Sequence, residues 1–369
     1  MRTTLRPRRS PSRSETAFEA AVSAFLWAFR ILLVLLVVVG SILTISSGKF
    51  DLDRWIDLIV AGAVSGGIYA LIALGYTMVY GIMKMINFAH GEIFMIGMFA
   101  GYFSAEILDQ AGILNASPLA SIASFLLMML IAALASTLVA LAVERVAYRP
   151  LRNSPRLILL ISAIGASFFL QYTVAGLVGP GVFRYPTIDI LEEQVGLPFL
   201  SALGLKWIEL VIIVSALLMM AALYLFVMRS KIGTAIRAVS EDKQTAALMG
   251  IDVNRAIVTT FAVGAAMAGA AGVLYGLLWG QVNYFSGFIP GIKAFTAAVL
   301  GGIGNIPGAM VGGFVLGEAE SVGTLLFFDG LGVPGSDALK DVIAFTILVL
   351  VLMFRPQGIL GERISRSRA

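Results

Sequence analysis

Apolar positions in this chain come in long unbroken blocks, not in the period-two alternation of a half-buried strand. Blocks near the roughly 20 residues that a helix needs to cross a bilayer lie at about 21–46, 58–82, 87–108, 119–143, 157–178, 208–228, 256–280, 308–328 and 340–354. A shorter apolar piece, 290–304, either crosses or re-enters, and counting it gives ten crossings. The pattern predicts an all-α integral membrane protein, a polytopic helical bundle of about 9–10 transmembrane segments. An outer-membrane barrel is disfavoured, because its strands would alternate apolar and polar residues. Spans two to five and seven to ten are both four-crossing groups separated by one span, so they would run in opposite orientation. That is the arrangement of an inverted repeat, although the two halves share little sequence.

A polar interruption between crossings, 229–255, has a pattern of its own. It carries Arg229, Arg237, Arg255, Lys231, Lys243, Glu241, Asp242 and Asp252, with a long apolar block on each side. Ser240 is placed to cap a short helix whose first turn holds Glu241 and Asp242, and Gly250 to end it. The charges suit the helix dipole at that end. From the loop alone two readings stand: a helix presented to a partner, or an ordinary solvated connection.

Composition agrees with the block pattern. The 369 residues are 59% hydrophobic and 13% charged, against about 45–50% and 25% in soluble domains. The absence of Cys excludes disulfides, thiol catalysis and Cys-ligated metals. The net charge of +4 does not point to nucleic acid, because the basic residues are spread through loops and ends. They report orientation instead. With the N-terminus inside and ten crossings, 19 of the 26 basic residues fall inside. Six (Lys49, Arg54, Arg184, Lys206, Lys293 and Lys340) fall outside, and Arg30 lies within the first span. This obeys the positive-inside rule and makes both termini and the 229–255 loop cytoplasmic. Residues 1–16, rich in Arg, Ser and Pro, read as a disordered basic tail. Residues 17–54 read as an uncleaved signal-anchor span with its linker, since no small-x-small cleavage site follows the apolar run. Residues 363–369 form a second basic tail.

Candidate chemistry is sparse. His90 is the only histidine, in Ile86-Asn87-Phe88-Ala89-His90-Gly91-Glu92. One His beside one Glu is too few for zinc, so no metal site and no catalytic residue is predicted. Asn87, His90 and Glu92 at a membrane boundary are candidates for a translocation path. For His90 itself the plainer reading is preferred: a helix start with Asn87 as N-cap and the imidazole bonded into a neighbouring span. Glu318, Glu320 and Lys293 interrupt later spans and would pair with each other or line a polar path. A run of buried carboxylates, as an ion relay would need, is missing. Gly97-x-x-x-Gly101 and Gly272-x-x-x-Gly276 let helix backbones approach closely. The break Gly301-Gly302-Ile303-Gly304-Asn305-Ile306-Pro307-Gly308 could open irregular backbone towards a substrate path, so Gly301, Gly302, Gly304 and Asn305 join the candidates. Gly48-Lys49-Phe50 lacks the other residues of a phosphate loop, so any ATPase must be another chain.

Several of these stretches resemble one known family. They are Gly67-Ile68-Tyr69-Ala70-Leu71-Ile72-Ala73-Leu74-Gly75-Tyr76-Thr77-Met78-Val79-Tyr80-Gly81, the segment 86–92, Glu144-Arg145-Val146-Ala147-Tyr148-Arg149-Pro150, Leu160-Ile161-Ser162-Ala163-Ile164-Gly165, the run 293–304, and Arg355-Pro356-Gln357-Gly358-Ile359-Leu360-Gly361. Over about 55–362 the chain resembles the permease subunit of the bacterial high-affinity branched-chain amino acid ABC importer. The resemblance implies a permease of the inner membrane that moves Leu, Ile and Val and is not itself an enzyme. It also implies a second, LivM-like permease subunit, two cytoplasmic ATPases (LivG- and LivF-like) that hold the ATP and Mg, and an extracytoplasmic binding protein. No cofactor is bound by this chain on that reading. Ser240, Glu241, Asp242, Ala246, Leu248 and Gly250 are similar to the family's ATPase-coupling loop, although the Ala-Ala of its Glu-Ala-Ala…Gly pattern is not kept where Glu241-Asp242-Lys243 stands. Related permeases carry urea, short amides or sugars, which leaves another small solute as the alternative cargo. Residues 1–54 have no counterpart in the family core.

Overall fold

The computed structural model describes residues 13–196 and 204–361. Most of the tail expected at 1–16, and all of that at 363–369, lies outside them. The described part is helical: α1 (Arg13–Ser46), α2 (Leu52–Met83), α3 (His90–Gln110), α4 (Pro118–Val143), α5 (Arg156–Val178), the single turn α6 (Asp189–Glu192), α7 (Trp207–Arg229), α8 (Lys231–Glu241), α9 (Lys243–Leu248), α10 (Val253–Trp279), α11 (Phe288–Gly301), α12 (Ile306–Thr324) and α13 (Lys340–Phe354). α1 already begins at Arg13, inside the stretch expected to be disordered. Two two-residue strands, β1 (Phe183–Arg184) and β2 (Gln281–Val282), pair antiparallel with Phe183 opposite Val282. Among the described residues, eight helices are long and apolar enough to cross a membrane. The chain is a polytopic all-α membrane protein.

Two compact units can be distinguished: α1 with Gly323–Leu339, and Leu52–Val322 with the segment from Lys340 onward. In the smaller unit, a π-helical turn follows α12 at Leu325–Asp329. A π turn displaces carbonyls from their usual partners, and Thr44 of α1 answers this: its hydroxyl donates to Leu326 O at 3.0 Å and accepts from Gly330 N at 2.8 Å. Gly40, one turn earlier, lets the two backbones touch at Phe327.

In the larger unit α2 and α10 are the most buried spans, and small residues explain how they can be. Gly75 of α2 faces Gly264 of α10; Gly97 of α3 lies on Gly269, and Gly272 on Met98 and Phe94. A Cβ at any of them would meet backbone, so close helix contact depends on their absence of side chain. α2 also packs antiparallel on α12, with Gly62 and Gly66 against Gly317, Gly313 and Phe314.

The piece at 290–304 is the 14-residue α11, which at 1.5 Å per residue spans roughly 21 Å, short of the roughly 30 Å hydrocarbon core. α13, with 15 residues, is similarly short. The two run side by side in the same direction. Lys293 near the start of α11 meets Asp341 in the first turn of α13 at 2.7 Å. At their far ends Ile359 N donates to Leu300 O at 2.7 Å and Leu360 N to Gly301 O at 3.0 Å.

Candidate functional site

The N-terminal end of α3 carries the first group of predicted residues. Asn87 is not the N-cap: Ala89 holds that position without a side-chain bond. The Asn87 side chain instead accepts a 2.5 Å hydrogen bond from Tyr148 OH, because the π turn Glu144–Tyr148 at the end of α4 swings that phenol under the loop. Asn87 does its local work through its backbone carbonyl, which accepts from His90 N at 3.0 Å. His90 is buried against Tyr76, ring centroids 4.8 Å apart and edge to face. The Ile72 backbone in α2 lies within hydrogen-bonding reach of its ring, while Nε2 has no partner.

Glu92, one turn along α3, is 1% exposed. Its Oε1 accepts from Ser167 Oγ of α5 at 3.3 Å, and its Oε2 accepts from nothing. Gln171, a turn beyond Ser167, is 2% exposed and its Nε2 is equally without a partner. Sequence reading did not single out Ser167 or Gln171; two polar residues at i and i+4 in an apolar span were the available signal. Beside this group Tyr76, Tyr80, Ile86, Phe295, Ala298 and Ile303 line a small, half-open recess between α2 and α11.

Ile303 ties that recess to the glycine break. Gly302 and Gly304 have φ of 108° and 98°, which only glycine adopts without strain. Asn305 accepts from Gly308 N at 3.1 Å and donates to Leu360 O at 2.7 Å. The carbonyls of Leu300 and Gly301 are taken by Ile359 and Leu360. The break is therefore sealed by the 355–361 segment, and its backbone is not open to a path in this conformation.

The charges of the later spans come together as a cluster. Lys293 Nζ donates to Glu320 Oε2 at 3.0 Å and to Asp341 at 2.7 Å, and Tyr69 OH donates to the same Glu320 oxygen at 3.0 Å. Glu318 does not join; it lies against Gly62.

The polar loop folds as two helices and a stop. Ser240 is not the cap predicted for it: it sits in α8, its hydroxyl donating to Ile236 O at 2.8 Å. Asp242 caps α9, accepting from Gln244 N at 2.8 Å, Thr245 N at 3.3 Å and Thr245 Oγ1 at 2.6 Å. The Thr245 hydroxyl, with the Gln244 and Thr245 amides, holds the Asp242 carboxyl below its usual range. The carboxylate wins the cap because it accepts all three bonds at once, whereas Ser240, two residues earlier, is still helical. Glu241 ends α8, exposed. Gly250 stops α9 as predicted, at φ 81°, with Ile251 N donating to Ala246 O at 3.1 Å. Ala246 is buried, while Leu248 and Met249 are 87% and 78% exposed. Asn254 moors the far end, accepting from Arg149 at 2.7 Å and Arg152 at 2.9 Å. Both arginines pair with the buried Glu144.

The model of the branched-chain amino acid transport system permease component matches residues 58–352. The chain belongs to that family. It is similar to the high-affinity branched-chain amino acid transport system permease protein BraD of Pseudomonas aeruginosa, 44% identical over 312 residues, which are 85% of this chain and 97% of BraD. It is likewise similar to LivH of Salmonella typhimurium, 46% identical over 301 residues (82% of this chain, 94% of LivH), and to LivH of Escherichia coli K12, 45% identical over the same shares. No solved structure matches the chain. α1 lies before the matched region, which begins at residue 58.

Proposed function

We propose that the chain is the transmembrane permease subunit of an ABC importer that carries Leu, Ile and Val across the bacterial inner membrane. The similarity to BraD and LivH over nearly their whole length carries this reading. The inner-face loop supports the coupling half of it. α9 is rigidly capped by Asp242, stopped by Gly250, and shows Leu248 and Met249 outward. Two large apolar side chains on a short polar corner are costly in water and suited to a groove on another protein. We assign that groove to cytoplasmic ATPase subunits. A second permease subunit and an extracytoplasmic binding protein complete the machine. ATP binding would close the ATPases and draw on α9, the bundle would open outward to receive the amino acid, and hydrolysis would reset it. Differential binding of the ATPases to the two states drives the cycle, and this chain makes or breaks no bond of its cargo.

The test is uptake of radiolabelled leucine at low external concentration, in cells that lack other leucine systems, with and without this gene. Gene-dependent uptake is expected. Equal uptake in both would overturn the cargo, leaving the permease to another small solute such as urea.

A further inference from the structure

α5 is a half-exposed helix whose buried stripe is apolar at both ends and polar in the middle. Leu159, Ala163 and Val174 occupy its ends, and Ser167 and Gln171, with Leu170 beside them, its centre. Opposite the polar centre stands Glu92 of α3, bonded to Ser167. Each wall offers one unfilled valence of opposite kind: the acceptor Glu92 Oε2 and the donor Gln171 Nε2. Both are all but fully buried. Leaving buried polar atoms unpaired costs on the order of 1–3 kcal/mol each, and more for a charged group. Packing alone would be served by Leu or Met at these positions. An acceptor of negative charge beside a donor is the complement of an amino acid head group, whose ammonium donates and whose carboxylate accepts.

We propose that Glu92, Ser167 and Gln171 form a binding stretch for the zwitterionic head group of the amino acid as it passes between α3 and α5. The inference rests on the amino acid cargo proposed above. Glu92 meets the ammonium, and Gln171 the carboxylate. In the conformation seen here α3 and α5 are closed on each other; movement of α5, which has few neighbours on its outer side, exposes the seam. The recess lined by Tyr76, Tyr80 and Phe295 lies beyond His90 and is not part of this stretch.

The measurement is the initial rate of radiolabelled leucine uptake by the complete importer, with the amount of each variant in the membrane read by immunoblot. Glu92→Gln keeps the shape and an acceptor but removes the charge. It is expected to lower the maximal rate at least tenfold at unchanged membrane abundance. Glu92→Asp keeps the charge and is expected to retain at least a third of the wild-type rate, whereas Gln171→Glu sets a second carboxylate against that of the substrate and is expected to lose uptake as Glu92→Gln does. Uptake by Glu92→Gln at the wild-type rate, a fall that follows loss of protein from the membrane, or a Glu92→Asp variant no better than Glu92→Gln, overturns the proposal. If the wild-type importer itself takes up no leucine, it is the cargo reading that fails.

Discussion

Lys293 is a single cation held between two carboxyl groups, and what it does is visible only by following each of its bonds. Glu320 shares one oxygen between Lys293 and Tyr69, and Asp341 closes the cluster from α13. Removing one partner of a buried pair leaves the other uncompensated, at a cost of about 3–5 kcal/mol. Lys293→Met is therefore expected to lower the thermal unfolding temperature of the detergent-solubilised protein and its abundance in the membrane. Adding Glu320→Leu and Asp341→Asn should restore most of the loss, because the charges then disappear together. A single variant as stable as the parent would show that the cluster contributes nothing. At this scale the sequence was half legible. Lys293 and Glu320 stand out as charges in apolar blocks, and pairing was one of the two outcomes expected of them, a polar path being the other. Asp341 and Tyr69 come from two other helices, and no local pattern places them there. Asn87 and Ser240 fail for a related reason. Each has the side chain of a cap, but Tyr148 claims the first, and the second lies within a helix that continues past it.

Among elements, the corner formed by α8, α9 and α10 ends at Gly250 where local rules placed a stop, although its cap is Asp242 and not Ser240. Gly250 has φ 81°, and nothing lies near where its Cβ would be. Substitution there meets only backbone strain, about 1–2 kcal/mol for a residue forced into the left-handed region. Asn tolerates that region better than other residues do. Gly250→Lys is thus expected to cut leucine uptake severalfold by re-aiming Leu248 and Met249, with membrane insertion unchanged, and Gly250→Asn to keep most of it. If the lysine variant transported normally, α9 would not be the coupling element. Hydropathy marked each of the eight described helices that are long and apolar enough to cross, yet it could not set depth. The block at 290–304 and the block at 340–354 are helices too short to reach across the core by length alone. Their ends are joined by Lys293–Asp341 and by the Leu300 and Gly301 carbonyls, partners more than 45 residues apart in sequence. Such pairings are set by tertiary packing, and the glycine break that looked like an opening is closed by the same contacts.

For the molecule as a whole, the connections of the larger unit sort into two faces, and this gives the distribution of basic residues a structural meaning. On one face Asn115 binds Thr187 O at 3.1 Å and Asp189 N at 3.0 Å, and β1 pairs with β2. On the other, Arg149 and Arg152 bind Asn254, Ser240 lies beside Gly81, and Asn305 holds Leu360. The second face carries Lys84, Arg145, Arg149, Arg152, Arg156, the basic residues of 229–255 and Arg355. An excess of Lys and Arg in short connections is the expected signature of a cytoplasmic side, and the coupling role proposed for α9 requires that orientation. The chain contains no cysteine, so single cysteines can report accessibility without background. Cysteines replacing Ala111, Val182 and Thr187, all exposed, are expected to react with a membrane-impermeant maleimide in intact spheroplasts. Cysteines replacing Asn153, Gln244 and Gln357, exposed on the opposite face, should react only after lysis. The reverse pattern would put α9 outside, where no ATPase could dock. It would sink the coupling role of Leu248 and Met249 however well the loop is folded, because the same corner performs that role only on the side of the membrane that holds the nucleotide.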